Sequence, residues 1–106
     1  MRRFNPPCES RYSNLSNAEL NLVIAKIEKI DTTVVVFDPC SNWAQGGLII
    51  EREKIALCFD VDGEYLEADK LETEDYERWT MVYGHTPLVA AMRCYAEFVA
   101  REEAAT

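Results

Sequence analysis

The sequence has one histidine, four glycines and four prolines, and no apolar run approaches the ~20 residues of a membrane span. A catalytic triad needs a base, and no pattern ties His85 to any cysteine, so no catalytic residue is assigned. The first residues include two arginines without an apolar stretch behind them, so no signal peptide is expected. The protein is therefore expected to be neither an enzyme nor a membrane protein; an enzyme with Cys94 or His85 in its site is the remaining alternative.

The four cysteines, Cys8, Cys40, Cys58 and Cys94, lie far apart and match no compact zinc or disulfide framework. Reduced thiols are expected. Residues 60–64 begin like a calcium loop, but the glycine falls at the fourth position and the twelfth is Leu71 instead of an acid. No metal and no cofactor is expected.

The net charge of -8 is concentrated in one stretch, residues 60–77, where Lys70 is the only base. Such a stretch repels phosphate backbones, so direct binding to nucleic acid is not expected. It can instead imitate a phosphate track and occupy a nucleic-acid-binding protein; the alternative is a solvated hairpin and loop that keep the protein in solution. Its acids are Asp60, Asp62, Glu64, Glu67, Asp69, Glu72, Glu74, Asp75 and Glu77.

Two helices are predicted. Ser16 and Glu19 form a capping box, and apolar residues then recur at helical spacing to about Ile30. Asn21, Lys26 and Glu28 are expected to face outward. Thr86 followed by Pro87 is typical of the start of a second helix. Its apolar stripe comprises Leu88, Ala91, Met92, Tyr95, Phe98 and Val99.

Between the helices, residues 32–37 are β-branched and aromatic, which predicts a buried strand. Residues 40–47 are small and polar and predict a shaped loop. Residues 55–59 alternate, and the Asp62-Gly63 turn leads into a second strand, so an antiparallel pair is expected. Residues 71–81 fit either a long loop or a short helix. The 106 residues thus predict an arm, 1–15, and one α+β domain, 16–106, with a small antiparallel sheet packed against an N-terminal and a C-terminal helix.

The candidate ligand site combines the loop at Trp43 with the start of the second helix. Trp43 offers a flat aromatic face, Gln45 an amide, and Gly46 and Gly47 permit close backbone approach. The free N–H groups at a helix start favour an anion. Together they suggest a nucleotide-sized site if folding brings them close. The phosphate would be held by Arg52, Thr86 or Arg93. The alternative is structural: Trp43 as a core plug, and Thr86-Pro87 as plain capping.

Residues 42–53 and 84–95 closely resemble two ordered motifs of the NinX family, small proteins of tailed phages and prophages. The resemblance covers about residues 18 to 98. Asn42 replaces the usual Asp, and Leu48 and His85 each replace a usual Pro. What the resemblance implies is a phage gene product in the host bacterial cytoplasm, not an activity.

Two functions follow as expectations. The first is a non-catalytic accessory protein, of the counter-defence kind, that sequesters a small nucleotide-like ligand in the pocket described above. The second is an acidic protein–protein inhibitor that mimics nucleic acid and blocks a host defence or nucleic-acid enzyme through residues 60–77. A homo-oligomer is open in either case.

Overall fold

The computed structural model describes residues 11–59, 66–71 and 79–105. Within these ranges the chain forms three helices and three strands, so the α+β class is confirmed in its coarse form. In chain order they are α1 (Asn17–Glu28), α2 (Trp43–Glu53), β1 (Ala56–Phe59), β2 (Leu66–Leu71), β3 (Trp79–Gly84) and α3 (Pro87–Ala105). No helix in the described part of the chain is long and apolar enough to cross a membrane.

The strands lie in the order β1-β2-β3 and pair antiparallel. Leu57, Ala68 and Val82 stand opposite one another and therefore share a face of the sheet. Val82 is buried and Leu57 is half-buried on this face, and α3 packs against β2 and β3. The other face begins at the neighbouring register positions, where Cys58 and Tyr83 are exposed.

Helix α3 is the centre of the domain. Its residues 88–92 and 94–97 are buried on almost every side of the helix, instead of along a single stripe. Ala90, Ala91 and Ala96 are small enough to let neighbouring elements approach closely. The C-terminal helix α3 packs against the sheet as predicted, but the prediction that the N-terminal helix also lies on the sheet is wrong, because α1 packs mainly against α3. Helix α2, which was not predicted, also packs mainly against α3.

Helix α1 begins with the predicted capping box. The Glu19 N–H donates to the Ser16 hydroxyl at 3.1 Å, and the Ser16 N–H donates to the Glu19 carboxylate at 3.0 Å. The helix ends at Lys29, which adopts the left-handed conformation with φ of 58°. Leu20 and Ile24 are buried in the core, so the predicted stripe packs as expected.

The predicted strand at residues 32–37 is wrong, since this segment forms turns and its valines face solvent. Val34 is 77% exposed and Val36 is 88% exposed. Asp31 explains the difference: its carboxylate accepts from the N–H and hydroxyl of Thr33, and its carbonyl accepts from the Val34 and Val35 N–H groups. These local hydrogen bonds turn the backbone away from a ladder.

The predicted loop at residues 40–47 is also wrong in its second half, because α2 begins at Trp43. The Asn42 side chain caps the helix by accepting from the Ala44 N–H at 2.9 Å. Two adjacent glycines disfavour a helix, but the tertiary contacts described below require one of them.

Several predicted features lie outside the described residues. They are residues 1–10 of the arm, the Asp62-Gly63 turn, and seven of the nine acids: Asp60, Asp62, Glu64, Glu72, Glu74, Asp75 and Glu77. The described end of the arm is docked on α3, where the Arg11 guanidinium contacts the Glu97 carboxylate at 3.1 Å.

Candidate functional site

The start of α2 and the start of α3 meet at Gly46. A Cβ atom added there would lie 2.7 Å from the Leu88 Cδ2 atom and would clash with the Pro39 carbonyl oxygen. The two segments that the sequence singled out are therefore neighbours in the fold. Gly46 is buried by this packing, so its role is to let α2 approach α3 and not to receive a ligand.

Gln45 holds the segment that precedes α2. Its amide NH₂ donates to the Val36 carbonyl at 2.8 Å, and its amide oxygen accepts from the Asp38 N–H at 2.6 Å. Both ends of the predicted ligand-reading amide are thus engaged with the protein's own backbone. Gln45 therefore holds residues 36–38 in place.

Asn21 of α1 also binds this segment, although the sequence predicted that it would face outward. Its NH₂ group donates to the Asp38 carboxylate at 2.7 Å, and its oxygen accepts from the Cys40 N–H at 3.0 Å. Residues 36–40 are therefore held between two helices. No spacing rule signals this contact, because the partners lie in different elements.

Arg52 is neutralised by carboxylates. Its guanidinium forms a bidentate pair with Glu28 at 2.7 and 2.9 Å, contacts Glu53 at 2.7 Å, and donates to the Tyr95 hydroxyl at 3.1 Å. The Tyr95 hydroxyl in turn donates to Glu28 at 2.7 Å. Burial alone would raise the pKa of Glu28, but the hydrogen bonds from Arg52 and Tyr95 lower it. The prediction that Glu28 faces outward is wrong, and Arg52 is committed to this network.

Thr86 is a helix cap. Its hydroxyl accepts from the Val89 N–H at 3.1 Å, and its carbonyl accepts from the Ala90 N–H at 3.0 Å. Pro87 follows as the first helical residue, as predicted. The Thr86 hydroxyl is therefore engaged in the cap and the neighbouring His85 side chain is exposed.

Arg93 is the exception among the arginines that the structure describes. Arg11, Arg52 and Arg101 each pair with a glutamate. Arg93 instead donates to two neutral acceptors, the Tyr83 carbonyl at 3.2 Å and the Ser13 carbonyl at 3.1 Å. Its Nε atom is buried and has no hydrogen-bond partner among the residues that the structure describes. Arg93 is the one described arginine whose charge no carboxylate neutralises.

The surroundings of Arg93 shift the pKa values of both Arg93 and the nearby Cys40. Burial lowers the pKa of the Arg93 guanidinium, because the charged form is disfavoured away from water, while nearby Cys40, in its thiolate form, would act in the opposite direction. Burial and the charge of Asp38 raise the pKa of the Cys40 thiol to about 12, so this cysteine is no nucleophile at neutral pH.

Trp43 stands three residues from Cys40 and is 55% exposed, so it is not the core plug that the structural alternative required. Its ring borders Gly47, where an added Cβ atom would lie 3.6 Å from the Trp43 Cε3 atom and meet nothing else. An exposed aromatic surface beside open backbone is thus present at the start of α2.

Two of the nine predicted partner-binding acids lie in β2. Glu67 pairs with Cys58 and Tyr83, and Asp69 pairs with Ala56 and Met81. Since paired residues share a face, both positions belong to the face of the sheet on which Cys58 and Tyr83 are exposed.

Comparison with protein families gives a match to the family described as Bacteriophage P22, NinX, over residues 26–100. A comparison with curated proteins returns no match. The matched range includes α2, the three described strands and most of α3, and so it contains Trp43, Arg93 and Tyr83, whereas Ser13, whose carbonyl also accepts from Arg93, lies outside it. The chain belongs to the NinX family of phage proteins.

Proposed function

We propose that the protein is a non-catalytic phage accessory protein that binds a small anionic, nucleotide-like ligand, with Arg93 holding the anion. The observation that carries this proposal is the charge of Arg93, which is half-buried and faces carbonyl groups, with no carboxylate partner among the described residues.

The physical argument concerns the cost of an unpaired cation. Withdrawing a charged group from water is unfavourable unless an opposite charge and hydrogen bonds compensate for it, and leaving one buried N–H unpaired costs about 1–3 kcal/mol. The orphaned Nε of Arg93 bears this cost. A phosphate or carboxylate that contacts the exposed part of the guanidinium would supply the missing opposite charge, and such charge-assisted pairs are among the stronger hydrogen bonds.

Trp43 supplies the second part of the proposed site. A base ring stacks on an exposed aromatic face with little dependence on sequence, and Gly47 leaves room for it to approach. Of the seven residues predicted from the sequence, Arg93, Trp43 and Gly47 keep their ligand roles in this proposal. The other four, Gln45, Gly46, Arg52 and Thr86, form the frame that positions them.

Binding without catalysis is the simplest activity for this arrangement. The raised pKa of Cys40 leaves it protonated at neutral pH, and Thr86 is engaged as a helix cap. In the host bacterial cytoplasm, a phage protein that sequesters a nucleotide signal would blunt a defence that depends on that signal.

The test compares two arginine variants of equal charge. Arg93→Gln removes the proposed anion contact, whereas Arg101→Gln removes an arginine that pairs with Glu97. Calorimetric titration with inorganic phosphate and with mono-, di- and cyclic nucleotides should give a binder whose affinity falls at least about tenfold in R93Q, the loss of one charged hydrogen bond. The R101Q protein should bind within about twofold of the wild type.

The R93K variant separates the effect of losing the charge from the effect of a folding defect. Because Arg93 also bonds to two carbonyls, R93Q is checked by far-UV circular dichroism, and R93K restores the charge without the planar fork. Intermediate affinity in R93K supports an anion contact. Equal binding by R93Q and the wild type, or no binding of any probe by the wild type, contradicts the proposal.

An acidic inhibitor is the second candidate, and the register of β2 favours it, since Glu67 and Asp69 occupy the face with exposed neighbours. Such a protein would bind a basic host surface, and its association would weaken steeply with salt. Reversing both charges, as Lys, should abolish binding to a host nucleic-acid enzyme. Association that is indifferent to salt and to this double reversal would exclude the second candidate.

A further inference from the structure

The residues from Val34 to Val36, here called the valine segment, expose three β-branched apolar side chains in succession. Val34 is 77% and Val36 is 88% exposed, with Val35 about half exposed between them. Scattered apolar residues on a surface need no explanation, but a contiguous group of this kind marks an interaction site.

The valine segment is held in place from both sides. Asp31 accepts hydrogen bonds from the Val34 and Val35 N–H groups, and Gln45 donates to the Val36 carbonyl. The segment is therefore presented in a fixed arrangement, which lowers the entropy cost of covering it.

The backbone of this segment also retains capacity to bind. Within the part of the chain that the structure describes, no acceptor reaches the N–H of Val36 or of Phe37. Residues 32–37 have strong β-propensity, and their sequence predicts a strand that the single chain does not form. The N–H groups of Val36 and Phe37 can donate to a partner's backbone while the hydrogen bonds that hold the segment stay in place.

A fourth apolar residue extends the surface. Leu48 lies three residues after Gln45, so it stands one turn further along the same side of α2, and it is 67% exposed. Together these four residues leave on the order of 450 Å² exposed, the size of the largest apolar patch on a typical monomer, which is often a functional surface. Two such surfaces facing each other would bury roughly 900 Å² before the surrounding rim is counted, close to the ~1,000 Å² of a specific interface.

We propose that the valine segment is the contact of a homodimer, with a second copy of this chain as its occupant. Residues 32–37 contain no charged residue, so the segment is complementary to an apolar surface like itself. A two-fold axis through the segment would set one copy antiparallel to the other, as isologous pairing requires.

Sedimentation equilibrium of the full chain over about 1 to 500 µM tests this proposal, with dissociation expected in the micromolar range that suits a small apolar interface. Val36→Asp should raise the dimer dissociation constant by at least about tenfold, because it places a charge in an apolar contact. Ala104→Asp adds the same charge at an exposed site near the far end of α3 and should leave dimerisation unchanged.

Salt distinguishes this dimer from binding to a basic partner. Each copy carries a net charge of -8, so screening should strengthen self-association, whereas it should weaken an acid-driven complex. A wild type that is monomeric over the whole range, or a V36D variant that dimerises like the wild type, would overturn the proposal.

Discussion

Replacing Gly46 with alanine is expected to destabilise the domain, although alanine is the better helix former. In an open helix this exchange stabilises by about 1 kcal/mol. Here the new methyl group would lie 2.7 Å from Leu88 and would clash with the Pro39 carbonyl. A carbonyl of the backbone cannot rotate away as a side chain would, so the overpacking cost should reach the upper part of its usual range, about 3 kcal/mol. The expected net loss is about 2 kcal/mol.

Gly47→Ala is the matched control in the adjacent position of the same helix. Its Cβ atom would meet only the Trp43 ring, at the ordinary contact distance of 3.6 Å. The gain in helix propensity should then not be offset by a steric cost. This variant should therefore be more stable than the wild type by about 0.5–1 kcal/mol. The two alanine variants should therefore differ by about 3 kcal/mol with opposite signs.

Urea unfolding followed by far-UV circular dichroism measures both values, and thermal midpoints should differ by roughly 10 to 20 °C for a domain of this size. If the Gly46 variant proves as stable as the Gly47 variant, α2 does not approach Pro39 and α3 as described, and the frame of the proposed site is wrong.

Three further predictions concern the remaining contacts. Glu28→Gln removes the bidentate partner of Arg52 and should cost about 1–2 kcal/mol in urea unfolding, while exposed Glu51→Gln should change stability by less than about 0.5 kcal/mol. Since the pKa of Glu28 is lowered in the folded state, its contribution is fully present above the unfolded value of about 4.3 and is lost as the pH falls through the folded pKa. The stability of the wild type should thus fall more steeply below about pH 4.5 than that of the Gln variant; parallel curves would contradict this. Exposed Cys58 should react rapidly with a disulfide reagent at pH 8, whereas Cys40, buried with a pKa of about 12, should react only after unfolding; a Ser variant at position 58 should lose one fast equivalent, and one at position 40 should lose none.

The parts of the fold that the sequence predicts are those set by local hydrogen bonds. The Ser16–Glu19 capping box and the Thr86-Pro87 start each depend on residues within one helical turn, and both form as expected. The i,i+4 contact between Glu97 and Arg101, at 3.3 Å, has the same local origin.

The errors arise where residues that are distant in the sequence determine the local secondary structure. Helix α2 contains two glycines that argue against a helix, and only the approach of Pro39 and Leu88 explains why Gly46 is required. The strand predicted at residues 32–37 has the right composition but no strand beside it, and Asp31 turns its backbone instead.

The predictions for the candidate site succeed and fail for the same physical reason. The sequence analysis combined the start of α2 and the start of α3 in one site, and the two segments lie together in the fold at Gly46, but the sequence could not assign roles within them. The sequence alone does not distinguish Arg52 from Arg93. Only the fold shows that Arg52 pairs with Glu28 and that Arg93 faces two carbonyls.

Native mass spectrometry of the protein purified from bacterial cells, beside its R93Q and R101Q variants, tests the central claim most directly. The account predicts that the wild type and R101Q retain a small anionic molecule in constant stoichiometry, and that R93Q has lost it. A wild type that carries no such molecule and takes up none from a metabolite extract, or an R93Q variant that retains it equally, would contradict the assignment of Arg93 as the anion site.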